Sequence, residues 1–359
     1  MSPKLPTELI DKIALMTRDT KTAYILKTMN LISQYAFDKM EKNVLIYGQV
    51  QGGKTLEIMK TLKSKIYENE IKVLVVQNSL LVLKQYIQRL KSENISFQIV
   101  TKEIQTIDKK VVLLINNSYR YRYFKQIEPK RYILMLDESD QIIRSCPLKA
   151  YKTIHITATP YNYPKKFFCK FDRIVTIKNN SNYKSIDDLD LNTSDNDTDS
   201  LMKFLRTKNG IMLINKYSYI QDMKECANIL SKNFNSVPIV LLTSEKLLYF
   251  QNEIKNIKEK TISKIIDSLK EHKHIIFIAN RLSNRGLSYV SSDYTCHLTH
   301  QITKVRTSVS SFLQSLRILG IYQDNKKLTL TIPPQQEKIL EKYKKIINEF
   351  QPSTLKTEY

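Results

Sequence analysis

The stretch Gly48-Gln49-Val50-Gln51-Gly52-Gly53-Lys54-Thr55 decides how the rest of the chain is interpreted. It matches the pattern G-x-x-x-x-G-K-[ST] at every specified position, and it holds three of the six glycines among the 359 residues. An apolar run precedes it at residues 44–47, and a helix-compatible segment follows it at residues 56–66. Glycines in a strand–loop–helix of this kind let backbone N–H groups converge on a phosphate, and the helix N-terminus adds positive potential.

We therefore interpret this loop as a nucleotide site, in preference to the alternative of a plain glycine turn before a helix. Lys54 would reach the β- and γ-phosphates of ATP, and the hydroxyl of Thr55 would ligate Mg²⁺. The fold implied by the surrounding pattern is a parallel α/β sheet.

A second acidic element follows a later apolar run, at Asp137-Glu138-Ser139-Asp140. A carboxylate at the end of a buried strand can hold the hydration shell of Mg²⁺, and we assign that role to Asp137. Glu138 can orient or deprotonate the attacking water. An isolated tetrapeptide of this kind is often only solvated surface, so the interpretation depends on the strand before it and on the upstream loop.

The chain divides into two halves of short apolar runs that alternate with amphipathic stretches, including helical segments predicted at residues 219–233 and 252–272. Such alternation is typical of parallel sheets that are buried on both faces. The runs lie at residues 44–47, 73–76, 111–115, 132–136, 154–156, 211–214, 237–242, 275–278 and 328–332. Six aspartates and no lysine or arginine occupy residues 185–200, which predicts an exposed, flexible acidic linker between the halves.

Thr157-Ala158-Thr159 follows the next apolar run after the acidic tetrad. In this order, the phosphate loop, the DExD tetrad and the T-A-T tripeptide resemble the motifs of superfamily 2 helicases. The resemblance covers residues 44–325 and implies two tandem RecA-like parallel-sheet domains with an N-terminal helical extension. The boundaries expected are a helical segment at 1–43, a first domain at 44–180, a linker at 181–205, a second domain at 206–332 and a terminal helix and tail at 333–359.

The resemblance also implies roles for residues of the second half. The segment 281–288 is similar to the fifth motif of the family, with Arg285 and Gly286 at its core. The segment 312–320 resembles the sixth motif, in which Gln314 would face the nucleotide and Arg317 would be the arginine finger. It departs from the family pattern in having one arginine where the usual motif has two, as in helicase-like ATPases of viral and restriction type.

Further residues are assigned to coupling and to contact with nucleic acid. Thr157 and Thr159, in the tripeptide that resembles the family's S/T-A-T motif, would couple hydrolysis to work on nucleic acid. Gln77 and Asn78 follow the run at 73–76, where the family places a strand-contacting motif, although a plain strand-to-helix turn explains them equally well. The segment 119–125 interleaves tyrosines with cations, which suits either base stacking or inward-packed tyrosines.

The charge balance indicates a polyanionic partner. Lysine and arginine total 57 against 35 acids, for a net charge of +22, so DNA or RNA is the leading partner class. No apolar stretch is long enough for a transmembrane helix, and the four separated cysteines fit a reducing compartment. We therefore expect a soluble intracellular protein without a membrane partner. Its lysine-, isoleucine- and asparagine-rich composition is typical of AT-rich genomes, including viral ones, which admits the host cytoplasm or a virion.

The expected function is an ATP- and Mg²⁺-dependent helicase or translocase. The alternative is a non-enzymatic nucleic-acid-binding protein on a degenerate helicase scaffold. No nuclease constellation occurs in the sequence, so a nuclease, replication or transcription function would come from a partner protein.

Overall fold

The computed structural model describes residues 41–350, except 164, 178–179, 244, 259–260, 281–286 and 323–325. Most of the predicted N-terminal helical segment, the predicted pair Arg285 and Gly286, and the tail after residue 350 therefore lie outside the described residues. The described residues form two compact units, the first ending at Ser181 and the second spanning Asn182–Phe350.

The first unit is built on a seven-stranded parallel sheet. Its strands, β1 to β7 in chain order, are Asn43–Tyr47, Lys72–Val76, Gln98–Ile99, Val111–Ile115, Ile133–Asp137, Lys152–Thr157 and Arg173–Thr176. They lie side by side in the order β3-β4-β2-β5-β6-β1-β7. The α-helices in the described part of this unit are α1 at Lys54–Lys63, α2 at Leu80–Ser92, α3 at Ser118–Gln126 and α4 at Ser139–Ile142.

Alternate residues of each strand point to opposite faces of this sheet, and each face has its own core. Leu74 and Val76 of β2 pack with one cluster, which includes Ile58 of α1 and Tyr86 of α2. Val73 and Val75 pack with the cluster on the other face, which includes Phe124 of α3. Helices therefore cover both faces, which is why the strands are continuous apolar runs in the sequence.

The second unit contains an eight-stranded sheet in the order β13-β12-β11-β14-β10-β15-β17-β9 and a two-stranded ladder of β8 with β16. Strands β8 to β17 are Tyr183–Lys184, Asp190–Thr193, Gly210–Ile214, Ile239–Leu242, Lys246–Phe250, Glu253–Asn256, His274–Ala279, Leu298–Ile302, Gly320–Ile321 and Thr329–Ile332. The α-helices among its described residues are α5 at Asp197–Leu205, α6 at Ile220–Asn233, α7 at Ile262–Leu269, α8 at Val309–Ser315 and α9 at Glu337–Glu349. Together the two sheets confirm the predicted α/β class with tandem RecA-like domains.

The helix predicted over residues 252–272 is wrong in its first half. Residues Lys246–Phe250 and Glu253–Asn256 form an antiparallel hairpin, and only Ile262–Leu269 is helical. Gln251 and Asn252 connect the two strands with φ of 51° and 60°. Positive φ at both central residues is the geometry of a type I′ hairpin turn, which ends any helix.

The acidic stretch also differs from the predicted flexible linker over 181–205. β9 within it pairs in parallel with β17 at the edge of the second sheet, and α5 follows. The aspartates have local partners: the carboxylate of Asp190 forms an ion pair with Lys327, and that of Asp197 pairs with Lys216. Phe204 at the end of the stretch is fully buried, so the stretch belongs to the second unit.

None of the helices in the described residues is long and apolar enough to cross a membrane.

Candidate active site

The predicted motifs of the first unit meet at one edge of its sheet, because the carboxyl ends of parallel strands all lie at the same edge. β5, β6 and β1 are adjacent, and they end at Asp137, Thr157 and Tyr47 respectively. Tyr47 is in register with Thr157, and the backbone N–H of Gly48 donates to the carbonyl oxygen of Thr157 at 3.2 Å. The phosphate loop, the acidic tetrad and the T-A-T tripeptide therefore form one cluster.

The loop after β1 folds back onto itself before α1 begins. The N–H of Gly52 donates to the carbonyl of Gln49 at 2.9 Å, and Gly53 has φ of 93°, a left-handed conformation that favours glycine. Val50 and Lys54 are buried, and the Lys54 Nζ donates to the carbonyl oxygens of Gln49 at 2.8 Å and Gly48 at 3.3 Å. The ammonium group thus lies within the loop that the sequence assigns to phosphates.

Asp137 is buried at the end of β5, where its surroundings raise the pKa of its carboxyl group. Burial, with a smaller contribution from the neighbouring Glu138 carboxylate, raises the pKa of Asp137 to about 6. The hydrogen bond from Tyr86 and the positive charge of Lys54 act in the opposite direction. Because the charge of Lys54 lowers the pKa of Asp137, the ammonium group in the loop and the carboxylate at the strand end are close enough to interact.

The last carboxylate of the tetrad joins it to the T-A-T tripeptide. Asp140 accepts a hydrogen bond from the Thr157 hydroxyl at 2.7 Å and one from the Thr159 hydroxyl at 3.2 Å. The backbone N–H of Thr159 donates to the Thr157 hydroxyl at 3.0 Å. All three side chains are buried, so a movement of one of these segments would be transmitted to the other through satisfied hydrogen bonds.

A group of aromatic side chains packs against the acidic tetrad and against β6. The Ser139 hydroxyl and the Tyr163 hydroxyl are 2.5 Å apart, and the Tyr163 ring stacks on Phe167 with centroids 5.0 Å apart. His155 of β6 meets Phe167 and Phe171 edge-on. The short helix α4 is therefore held by packing as well as by its carboxylate.

Gln77 and Asn78 lie at the same sheet edge, after β2, which neighbours β5. Gln77 is half-buried, and its amide nitrogen is 3.5 Å from the side-chain oxygen of Gln141 in α4. Asn78 is exposed, and Ser79 after it caps α2 by accepting from the Val82 N–H. Both the turn and the nucleic-acid interpretation remain compatible with this placement.

The next strand along, β4, leads into a groove beside α3. Tyr121 and Phe124 of this helix are buried, whereas Tyr119 is 62% exposed. The groove has a volume of about 400 Å³ and is lined by Thr101, Lys102, Glu103, Asn117, Tyr119, Arg120 and Tyr123. The aromatic and cationic residues of the segment are thus divided, with one part in the core and another part on the surface.

In the second unit, Gln314 and Arg317 lie together in the interior. The Arg317 guanidinium donates to the carbonyl oxygens of Leu287, at 3.2 Å, and of Gln314, and its Nη2 is 3.4 Å from the Gln314 side-chain oxygen. Arg317 is 4% exposed and Gln314 is 1% exposed. The role of Arg317 as an arginine finger stays a prediction, because it requires these bonds to be exchanged for phosphate oxygens.

A buried glutamine that the sequence analysis missed holds the turn around Arg317. Gln301 of β15 accepts from the backbone N–H groups of Arg317, at 2.9 Å, and Ile318, at 3.1 Å. Its amide nitrogen donates to Asn215 Oδ1 at 3.1 Å and to the Ser315 carbonyl at 2.7 Å. Both donors and both acceptors of the amide are therefore used, and no sequence motif marks this residue.

The oxygen donors at the edge of the first sheet suit Mg²⁺. Mg²⁺ is usually bound through one or two carboxylates together with substrate phosphates and water, and a threonine hydroxyl and the Asp137 carboxylate supply oxygen ligands of that type. Tyr86 is hydrogen-bonded to the side chains of both Thr55 and Asp137, which connects the two proposed ligands. Among the described residues, no group of three or more His, Cys, Asp and Glu side chains is arranged to hold a metal ion.

Comparison of the structure with solved structures identifies the architecture. The protein is similar to Dbp5 of S. cerevisiae bound to RNA and ADP BeF3, with a TM-score of 0.61 and 12% identity over 91% of this chain and 92% of that one. The chain has the same fold as this RNA-bound protein. Mss116p bound to ssRNA and AMP-PNP is similar with a TM-score of 0.55 and 10% identity, over 95% of this chain and 77% of that one.

A protein bound to DNA is also similar in structure. RecG bound to a three-way DNA junction is similar with a TM-score of 0.59 and 14% identity, and the match covers 99% of this chain but 48% of the RecG chain. No family model matches the sequence, and no curated protein does. The helicase fold therefore rests on three-dimensional similarity at low sequence identity.

Proposed function

We propose that the protein is an ATP-dependent nucleic-acid helicase or translocase that hydrolyses ATP with Mg²⁺. The observation that carries the proposal is the meeting of Lys54, Asp137 and the Asp140–Thr157 pair at the ends of three adjacent strands. A degenerate scaffold has no need to keep a loop cation, a strand-end carboxylate and a buried carboxylate–hydroxyl link in one cluster. The helicase fold is consistent with this chemistry.

Each residue has a distinct task in the proposed reaction. Lys54 exchanges its bonds to the loop carbonyls for the β- and γ-phosphate oxygens, which carry increasing negative charge in the transition state. Mg²⁺, held through Thr55 and Asp137, would neutralise the same phosphates. Glu138 accepts the proton of the attacking water. Gln314 is assigned to the nucleotide, and Arg317 to the negative charge of the transition state, from the resemblance alone.

Coupling to nucleic acid is proposed to use the remaining residues of the same sheet edge. Thr157 and Thr159 share the carboxylate of Asp140, so a change at the nucleotide alters the segment that follows β6. Gln77, Asn78 and the groove beside α3 offer polar, cationic and aromatic groups to a sugar-phosphate backbone and its bases. Arg285 and Gly286 are assigned to the same role from the resemblance alone.

The decisive experiment measures ATP hydrolysis with and without single-stranded DNA or RNA. We expect the parent chain to be stimulated by one or both, and Lys54→Ala to lose about 100-fold or more of its turnover because a transition-state cation is removed. Lys63→Ala is the matched control, since Lys63 lies on the same helix and pairs at the surface with Glu93. Strand displacement measured alongside separates a helicase from a translocase that does not unwind.

An inactive parent chain that still binds nucleic acid would favour the alternative, a binding protein on a degenerate helicase scaffold. Unchanged turnover in Lys54→Ala would show that the hydrolysis comes from another site or from a contaminant.

A further inference from the structure

Tyr86 is a buried tyrosine whose hydroxyl contacts the candidate active site at Asp137. It lies on α2, two turns after the helix begins, and it is 3% exposed. Its ring belongs to the apolar cluster that also contains Ile58 and Met59 of α1. A phenylalanine would supply the same ring, so the packing leaves the hydroxyl unexplained.

The hydroxyl is hydrogen-bonded to the side chains of both residues to which the proposed function assigns the metal. It donates to Asp137 Oδ2 at 2.6 Å, and it also forms a hydrogen bond with the side chain of Thr55. An ionised carboxylate can only accept, so the single phenol proton goes to Asp137. The Thr55 hydroxyl then donates its own proton to the phenol oxygen.

This chain of donors, from Thr55 to Tyr86 to Asp137, has a defined direction. Since the Thr55 proton is used toward Tyr86, the lone pairs of that hydroxyl are what it can offer to a cation. The bond to Oδ2 restricts rotation of the Asp137 carboxyl group, and charge-assisted hydrogen bonds of this kind are short and strong. The two proposed ligands come from different elements, α1 and β5, and Tyr86 joins them from a third.

We propose that Tyr86 is a positioning residue for Mg²⁺-nucleotide, which holds the Thr55 hydroxyl and the Asp137 carboxylate in the orientation that the cation requires. The inference rests on the proposed function and adds a residue to it that lies outside the loop and the acidic tetrad. Outer partners that orient metal ligands typically change metal affinity by about 10- to 100-fold when they are removed.

The test compares Tyr86→Phe with Tyr132→Phe in the full-length chain. Tyr132 is an apt control because it is buried in the same unit and donates to a carboxylate, that of Glu128, at 2.5 Å. Binding of Mn²⁺ in the presence of ADP is followed by electron paramagnetic resonance, and binding of ADP without metal is followed by calorimetry. We expect Tyr86→Phe to weaken Mn²⁺ binding by about 10-fold or more and to leave metal-free ADP binding unchanged, while Tyr132→Phe alters neither.

Two results would overturn the positioning role while leaving the proposed function intact. One is parent-like Mn²⁺ affinity in Tyr86→Phe. The other is an equal loss of metal-dependent and metal-free ADP binding, which would show a general disturbance of the loop. A parent chain that binds no Mn²⁺–ADP would instead overturn the proposed function and this inference together.

A second measurement keeps the inference testable if Tyr86→Phe does not fold. Fluorotyrosine at position 86 of the otherwise unaltered chain reports on the hydroxyl through its fluorine resonance. We expect the resonance to shift when Mg²⁺ is added to the ADP complex, since both partners of the hydroxyl become cation ligands. An unchanged resonance at saturating Mg²⁺–ADP would contradict the inference.

Discussion

Glu138 occupies an uncommon backbone conformation at the turn between β5 and α4. Its φ and ψ are 53° and 48°, in the left-handed region that residues other than glycine rarely adopt. Such a conformation costs of order 1 kcal/mol and persists where the surroundings determine it. Here the buried bonds of Asp140 to Thr157 and Thr159 hold the segment that follows. The conformation places consecutive carboxylates at the strand end, where the proposed chemistry needs them.

His155 makes the stability of the first unit dependent on pH. It lies buried in β6 against the edges of Phe167 and Phe171, and its Nδ1 is without a hydrogen-bond partner among the described residues. Burial lowers the pKa of His155 to about 4, from 6.5 in an unfolded chain. Between these values the unfolded state binds more protons, so stability is lost as the pH falls from 6.5 toward 4. From pH 7 to pH 5 the loss from this residue is about 2 kcal/mol.

The measurement is urea unfolding at pH 7 and pH 5, read by brief proteolysis that identifies peptides of the first unit. His155→Leu keeps an apolar side chain of similar size and has no titrating group, so the loss between the two pH values should be about 2 kcal/mol smaller than in the parent. An identical loss in both proteins would show that other groups cause the acid sensitivity.

The sequence predicted the positions of site residues that belong to a local sequence pattern. It did not predict those whose contacts are made only in the folded structure. Lys54 and Asp137 follow apolar runs in a recognisable order, and parallel strands bring the ends of those runs to one edge. Tyr86 looks like any apolar position of an amphipathic helix, and Gln301 looks like a polar break in a strand. Their roles depend on partners that are remote in sequence, at Asp137 and at Arg317, and no local spacing encodes these pairs.

At the scale of single elements, α3 presents different aromatic residues to the core and to the surface. Tyr119 is exposed and has the Arg122 guanidinium 5.8 Å from its ring centroid, while Arg120 donates to the Val100 carbonyl at 2.8 Å. If bases stack on this platform, Tyr119→Ala should weaken binding of a single strand by about 10-fold, since stacking contributes about 1–3 kcal/mol per base. Tyr119→Phe retains the ring and should bind as the parent does.

Fluorescence anisotropy with labelled single-stranded DNA and RNA checks this prediction at one fixed salt concentration. The helix itself should tolerate both changes, because surface substitutions usually alter stability by less than about 0.5 kcal/mol. Parent-like binding of Tyr119→Ala would remove the groove from the nucleic-acid path and leave the tyrosines of α3 a structural role.

The hairpin of β12 and β13 shows why the pattern failed over residues 252–272. The segment is rich in Lys, Glu, Asn and Ile, which suit an exposed helix, and its turn lacks the Asn-Gly or Asp-Gly pair that signals a type I′ hairpin. The pairing with β11 decides the outcome, and that is a tertiary interaction. Long buried runs such as β2 and β14 carried no such ambiguity, so their strands were predictable to within one or two residues.

For the molecule as a whole, the excess of 57 cations over 35 acids predicts binding that depends strongly on salt. Each neutralised phosphate releases counterions, so a contact surface of about seven phosphates should lose about 1000-fold in affinity between about 50 and about 200 mM NaCl. Titrations at several salt concentrations give the slope, and Lys54→Ala serves as a control that should keep it. Affinity that does not respond to salt would exclude backbone contacts as the main source of binding.

Strand β9 has a practical meaning for anyone who separates the two halves of the chain. A fragment that starts at residue 206, where composition suggests the second domain begins, would lose this edge strand together with the buried Phe204. It would expose the side of β17 as an unpaired template for association with other chains. Cleavage near residue 181 keeps the sheet complete. The aspartate-rich stretch therefore covers the edge of the second sheet, although its composition is typical of a flexible linker.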